Sequence, residues 1–255
     1  MRSALTLYFA SLLKSYLLSP AMYAGLAFFA GFFSLIGAYF SKFPLPGWFS
    51  MTYLMFTFAI AGGLSRSIVV GSAAFNYLIR HAGISPIKLI LVLVATGMIS
   101  QIIFSSLFLI ITILIYYTAN KTVPMVDIGL VISAIILSSL FMATFGVALG
   151  LIMVGRTATA KIANFIPMLP MIIYFVSLLT PADISSYNPI TAIMMLLAYS
   201  LGGEKYIYIV PMPSTLSLPI LVTVILTSSI ILLILSILLV KRIREVNIYD
   251  VAMSF

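Results

Sequence analysis

The sequence predicts an all-α polytopic membrane protein, and three observations carry that reading. Of its 255 residues, 63% are hydrophobic and only 7% are charged, whereas an ordinary soluble domain is about a quarter charged. Mean hydropathy is +1.26. The few charges divide the chain into uncharged runs, most of which reach the roughly 20 residues a helix needs to cross the hydrocarbon of a bilayer. Inside lipid every backbone polar group must be satisfied within the segment, so such runs fold as helices. The predicted architecture is six transmembrane helices, an N-terminal amphipathic interface helix, an outer re-entrant helical hairpin between crossings five and six, and both termini cytoplasmic.

Residues 2–19 form the interface helix. At about 100° per residue, Ser3, Thr6, Ser11 and Lys14 gather on one side. Leu5, Tyr8, Phe9, Leu12 and Tyr16 cover the other, the pattern of a helix lying in the membrane surface. Lys14 interrupts the apolar run and no small-x-small cleavage pattern follows, so the segment is expected to be retained rather than removed as a signal peptide.

Seven runs are long enough to cross: 21–41, 43–65, 89–120, 128–155, 162–182, 184–203 and 206–240. Basic residues arbitrate between six and seven, because they are retained on the cytoplasmic side. If the run at 184–203 does not cross, Arg2, Lys14, Arg66, Arg80, Lys88, Arg156, Lys161, Lys241, Arg242 and Arg244 lie inside. Only Lys42, Lys121 and Lys205 then lie outside. The crossings are therefore 21–40, 49–70, 89–117, 126–154, 162–180 and 216–240, in a single transmembrane domain spanning 1–255.

Residues 184–213 become an outer re-entrant region, entered through Asn188-Pro189 and turning at Gly202-Gly203. Proline suits a first helical turn and asparagine can cap free N–H groups. In the fifth crossing, Pro167 and Pro170 each remove an intrahelical hydrogen bond. They mark either a kink lining a path or the ordinary prolines of membrane helices.

The longest inner loop, 65–89, contains a short helix at 72–81 that is expected to present Phe75, Leu78 and Ile79 as an exposed apolar surface, closed by Gly83 and Pro86. Such a surface fits docking to a cytoplasmic partner; Arg80 and Lys88 also suit lipid headgroups. His81 is the sole histidine and cysteine is absent, so neither a zinc site nor a nucleophilic triad can be assembled. The five acids, Asp127, Asp183, Glu204, Glu245 and Asp250, fall at helix ends, in the outer turn or in the tail. A proton or sodium relay needs one near the midplane. No phosphate-binding G-x-x-x-x-G-K-[ST] loop occurs, and the net charge of +8 is scattered without a basic stripe, which points to lipid rather than nucleic acid. Gln101, Ser105, Ser106, Ser138, Ser139 and Thr144 suit interhelical hydrogen bonds or a moderately polar cavity. The spacings Gly146 to Gly150 and Gly25 to Gly31 suit close helix packing.

The surface helix, the loop "FNYLIRHAGISPIK", the double-proline segment "IPMLP" and the outer stretch "LLTPADISSYNPITAI" together resemble the membrane subunits of ABC-2 type transporters. The likeness runs in element order over nearly the whole chain. It implies half of a substrate pathway, paired with a second membrane subunit as homodimer or heterodimer, in a prokaryotic plasma membrane. Separate cytoplasmic ABC ATPase subunits would bind ATP and magnesium; this chain would hold no cofactor and break no bond. The resemblance makes Phe75, Asn76, Leu78, Ile79, Arg80 and His81 the ATPase-coupling loop, and Ser3, Thr6, Ser11 and Lys14 the interface helix. Pro181, Asn188, Pro189 and Thr191 become the outer re-entrant motif. Its exported substrates are drugs, lipids, glycans or other hydrophobic compounds. Leu178 follows Ser177 where many members have glycine, and no arginine follows Asn188-Pro189, departures that undermine assignment to a well-known drug-export or glycan-export branch. An ion-coupled carrier and a non-transporting assembly or immunity factor are the alternatives; a carrier would need an intramembrane acid and internal repeats.

Overall fold

The computed structural model describes residues 4–41, 43–121, 126–154, 168–179, 181, 184–202 and 217–240. The described residues are helical: α1 (Ala4–Leu17), α2 (Pro20–Phe40), α3 (Leu45–Val70), α4 (Ser72–Arg80), α5 (Pro86–Asn120), α6 (Ile128–Met153), α7 (Met168–Ser177), α8 (Pro189–Ser200) and α9 (Leu218–Leu239). Five of these, α2, α3, α5, α6 and α9, are long and apolar enough to cross a membrane. The chain is a multi-span all-α membrane protein. Of the expected fifth crossing, 162–167 lie outside the described residues and 168–177 form α7.

Proline sets several starts. Pro46 lies in the first turn of α3, Pro86 opens α5, Pro189 opens α8 and Pro219 lies in the first turn of α9, positions where the missing N–H costs nothing. Two boundaries therefore fall earlier than expected: α3 begins at Leu45 rather than 49, and α5 at Pro86 rather than 89. With 35 residues, α5 is about 52 Å long, well beyond a hydrocarbon core of about 30 Å. It ends where Lys121 adopts φ 56° and its N–H bonds to Tyr117 O at 2.8 Å, a left-handed helix cap.

The sequence gives no sign of the winding of α2, in which 27–32 and 36–40 follow π-helical rather than α-helical hydrogen bonding. The wider turns accompany a tight contact. Trp48 Nε1 donates to Phe33 O at 2.8 Å, and its indole lies so close to Gly37 that a Cβ there would collide with it and with the Tyr116 hydroxyl.

At the centre, α6 packs against α3, α5, α8 and α9. Glycines set the spacing: a Cβ on Gly146 would come within 2.8 Å of Ala61 O, and one on Gly150 within 3.0 Å of Ser65 O. Ser65 Oγ donates across this gap to Gly146 O at 2.8 Å. By contrast, Gly25 and Gly31 make no such close approach to another helix backbone.

Apolar side chains fall into two clusters along the bundle. One unites Leu45, Tyr53, Phe108, Tyr116, Val131, Tyr174 and most of α8. The other unites Tyr16, Ile68, Phe75, Leu89, Val154 and Val240. The N-terminal helix, the α3–α5 connection and Val240, which caps α9, thus meet at one end of the bundle.

Candidate functional site

At that end, α4 is created by a break. Gly71 ends α3 with φ −81° and ψ 1°, and a Cβ there would lie 2.8 Å from Ser67 O, so the chain turns at the one residue that lacks a side chain. The helix ends at His81; Gly83 adopts φ 64°, and Ile84 N bonds back to Leu78 O at 3.1 Å. The turn at Gly83 is present, but the loop closes at Pro86, where α5 begins, rather than at the expected 89.

The face of α4 differs from expectation. Phe75, Asn76 and Ile79 are buried and Leu78 is half-buried, whereas Ala74, Tyr77, Arg80 and His81 are exposed. The reason is α1, whose Tyr8 ring meets the Phe75 ring edge-on at 6.0 Å between centroids. Phe75 and Ile79 are buried, and the surface left outward is mixed: the Tyr77 and His81 rings lie 4.9 Å apart, tilted by 34° and one helical turn apart, and Arg80 is exposed.

The helical wheel of α1 agrees with the structure. Thr6, Ser11 and Lys14 are exposed, Ser3 lies outside the described residues, and Tyr8, Leu12 and Tyr16 pack on the second cluster. Tyr16 donates its hydroxyl to Ser67 Oγ at 2.9 Å. Burial pushes the Tyr16 hydroxyl up to about 12, with the bond to Ser67 opposing the shift; burial, and secondarily Tyr16, push that of Tyr8 higher still.

At the other end sits α8. Asn188 Oδ1 accepts from Ile190 N at 3.0 Å, and Thr191 Oγ1 donates to Asn188 O at 3.0 Å and to Ser185 O. A short 3-10 turn, Ser185–Tyr187, leads into this cap. With 12 residues, α8 is about 18 Å long and cannot span the bilayer. Its residues from Ile190 to Ala198 are all buried, and it packs on α3, α6 and α9. Its last residue returns to a helix end: Asp127 N donates to Ser200 O at 3.0 Å, while Asp127 Oδ1 accepts from Leu130 N at 3.0 Å as the cap of α6. Pro181 is exposed, with its carbonyl bonded to Ile184 N. Residues 203–213, the expected return of the hairpin, and Pro167 lie outside the described residues. Pro170 is buried within α7.

The intramembrane polar residues divide. Tyr53 OH lies 3.0 Å from Ser105 Oγ and 2.7 Å from Ser138 Oγ, joining α3, α5 and α6. Ser106 and Thr144 bond instead to carbonyls of their own helices. Tyr53 was not among the polar residues singled out in sequence; only three-dimensional contact separates a lipid-facing tyrosine from one that bridges helices. Among the described residues, no three His, Cys, Asp or Glu come together as a metal site would require. No protein family, curated protein or solved structure matches the chain.

Proposed function

We propose that the chain is the transmembrane subunit of an ATP-binding cassette exporter, forming half of a substrate pathway and coupling to separate cytoplasmic ATPase subunits. The observation that carries this reading is the joint placement of α1 and α4. An amphipathic surface helix clamps a nine-residue connecting helix through Tyr8 and Phe75, and turns Tyr77, Arg80 and His81 outward. A rigid, outward-facing helix on the connection between two core helices suits the transmission of force from a soluble partner.

Six crossings, with 162–180 as the fifth and 184–213 re-entrant, bring α9 back to the end at which α1 lies. The shared cluster of Tyr16 and Val240 supports this, and the distribution of basic residues favours a cytoplasmic location for that end. The capped, buried α8 is then part of an outer gate. A second membrane subunit supplies the other half of the pathway. ATP and magnesium act in the partner, whose closure draws the α4 helices together and biases the bundle between two arrangements. The substrate is an apolar or amphipathic compound such as a drug, lipid or glycan, and the membrane is a prokaryotic plasma membrane.

The test is copurification in mild detergent with the products of neighbouring genes, followed by an ATPase assay. A nucleotide-hydrolysing complex that is weakened by replacing Tyr77, Arg80 and His81 together supports the reading. An intact chain that purifies with no such partner contradicts it and favours the carrier or assembly-factor alternative.

A further inference from the structure

Gln101 is fully buried, and neither its Nε2 nor its Oε1 has a hydrogen-bond partner among the described residues. We propose that the seam between α3, α5 and α6 contains a buried water-binding site, formed by the Gln101 carboxamide and the Ser139 hydroxyl halfway along the bundle.

The register of the three helices places the two residues at one level. A Cβ on Gly97 would lie 2.8 Å from Leu64 Cδ2 and 3.2 Å from Ala143 Cβ, so α5, α3 and α6 touch at that level. Further along the seam they touch again through Ser105, Tyr53 and Ser138. Gln101 stands four residues after Gly97 and four before Ser105, on the stripe that faces both contacts. Ser139 stands four residues before Ala143 and next to Ser138. Because α5 and α6 run antiparallel, four residues forward on one and four back on the other reach the same level. Thr57, one turn from Tyr53, completes that level on α3 and already donates to Leu54 O.

The chemistry of the seam selects the occupant. A carboxamide offers two donors and an acceptor, and leaving them unpaired in an apolar interior is costly. Ser139 is also fully buried, and its hydroxyl has no hydrogen-bond partner among the described residues. Gln101 Nε2, Gln101 Oε1 and Ser139 Oγ offer three partners, within the two to four that a buried water takes. Among the described residues the level carries no charge to hold an ion: Thr57, Gln101 and Ser139 are all neutral.

Hydroxyl-radical labelling of the purified full-length chain in water of heavy oxygen tests this, since a buried ring is labelled efficiently only when water lies beside it. Tyr53 and Tyr174 are both 0% exposed. The expected result is heavy-oxygen label on Tyr53 well above that on Tyr174, falling severalfold in Gln101→Leu and in Ser139→Ala. The serine variant removes a single oxygen and keeps the test open if the glutamine variant does not fold. Label on Tyr53 no greater than on Tyr174, or label unchanged in both variants, overturns the proposal.

Discussion

The Tyr16 hydroxyl bonds to Ser67 Oγ at 2.9 Å, and this single contact fastens the surface helix α1 to the last turn of the core helix α3. Ser67 Oγ itself donates to Gly63 O, so removing the tyrosine hydroxyl orphans no partner. Tyr16→Phe should therefore cost only about 1 kcal/mol, read as a small fall in thermal stability.

The same contact predicts an alkaline transition. Burial raises the Tyr16 pKa from its usual value of about 10 to about 12, so the neutral phenol is the form that the docked helix favours. Its contribution is complete below pH 10 and is lost as pH rises through about 12. Release of α1, followed by protease access or hydrogen exchange, should appear in that window and be diminished in Tyr16→Phe.

Phe75 and Tyr77 lie two residues apart on α4 with opposite environments. Phe75→Ala removes a buried ring and should cost about 3–5 kcal/mol, lowering the yield of folded chain. Tyr77→Ala removes a side chain that is 58% exposed and should leave thermal stability within about 0.5 kcal/mol, while reducing copurification of the ATPase subunit that the proposed function requires.

Gly146 and Gly63 make a matched pair. Alanine gains up to about 1 kcal/mol over glycine in a helix, but at Gly146 it would press on the Ala61 backbone, and such overpacking costs about 1–3 kcal/mol. Gly146→Ala should lower the melting temperature. Gly63→Ala, with nothing within 4 Å, should leave it unchanged or raise it.

Asn188→Ala removes the acceptor that caps α8 and should cost about 1 kcal/mol. Hydrogen exchange should quicken in the first turn of α8, and Asn188→Asp, which keeps an acceptor oxygen, should restore much of the protection.

Much of the helical layout was legible because it follows from hydrophobic length and punctuation. Gly83 and Pro86 marked the end of the α4 loop, and Asn188-Pro189 marked the start of α8, where cap chemistry is local. The outward polar strip of α1 was readable for the same reason: Thr6, Ser11 and Lys14 need only the helical period. What covers an apolar face was not readable. Phe75, Leu78 and Ile79 were expected to be free for a partner, yet Phe75 and Ile79 are buried and the Tyr8 ring of α1 meets Phe75, since periodicity identifies a face without saying whether lipid, partner or another helix buries it. The bridge from Tyr53 to Ser105 and Ser138, and the π-helical winding of α2 near Trp48, depend on residues far apart in sequence and left no local mark.

The most direct test of the central claim uses the absence of cysteine in the chain. A lone cysteine in Tyr77→Cys, treated with a short thiol-reactive cross-linker in membranes, should give one principal product, joined to an ATP-hydrolysing subunit. The account is contradicted if no ATPase is captured while the same cysteine reacts with a membrane-impermeant thiol reagent applied to the outside of intact cells.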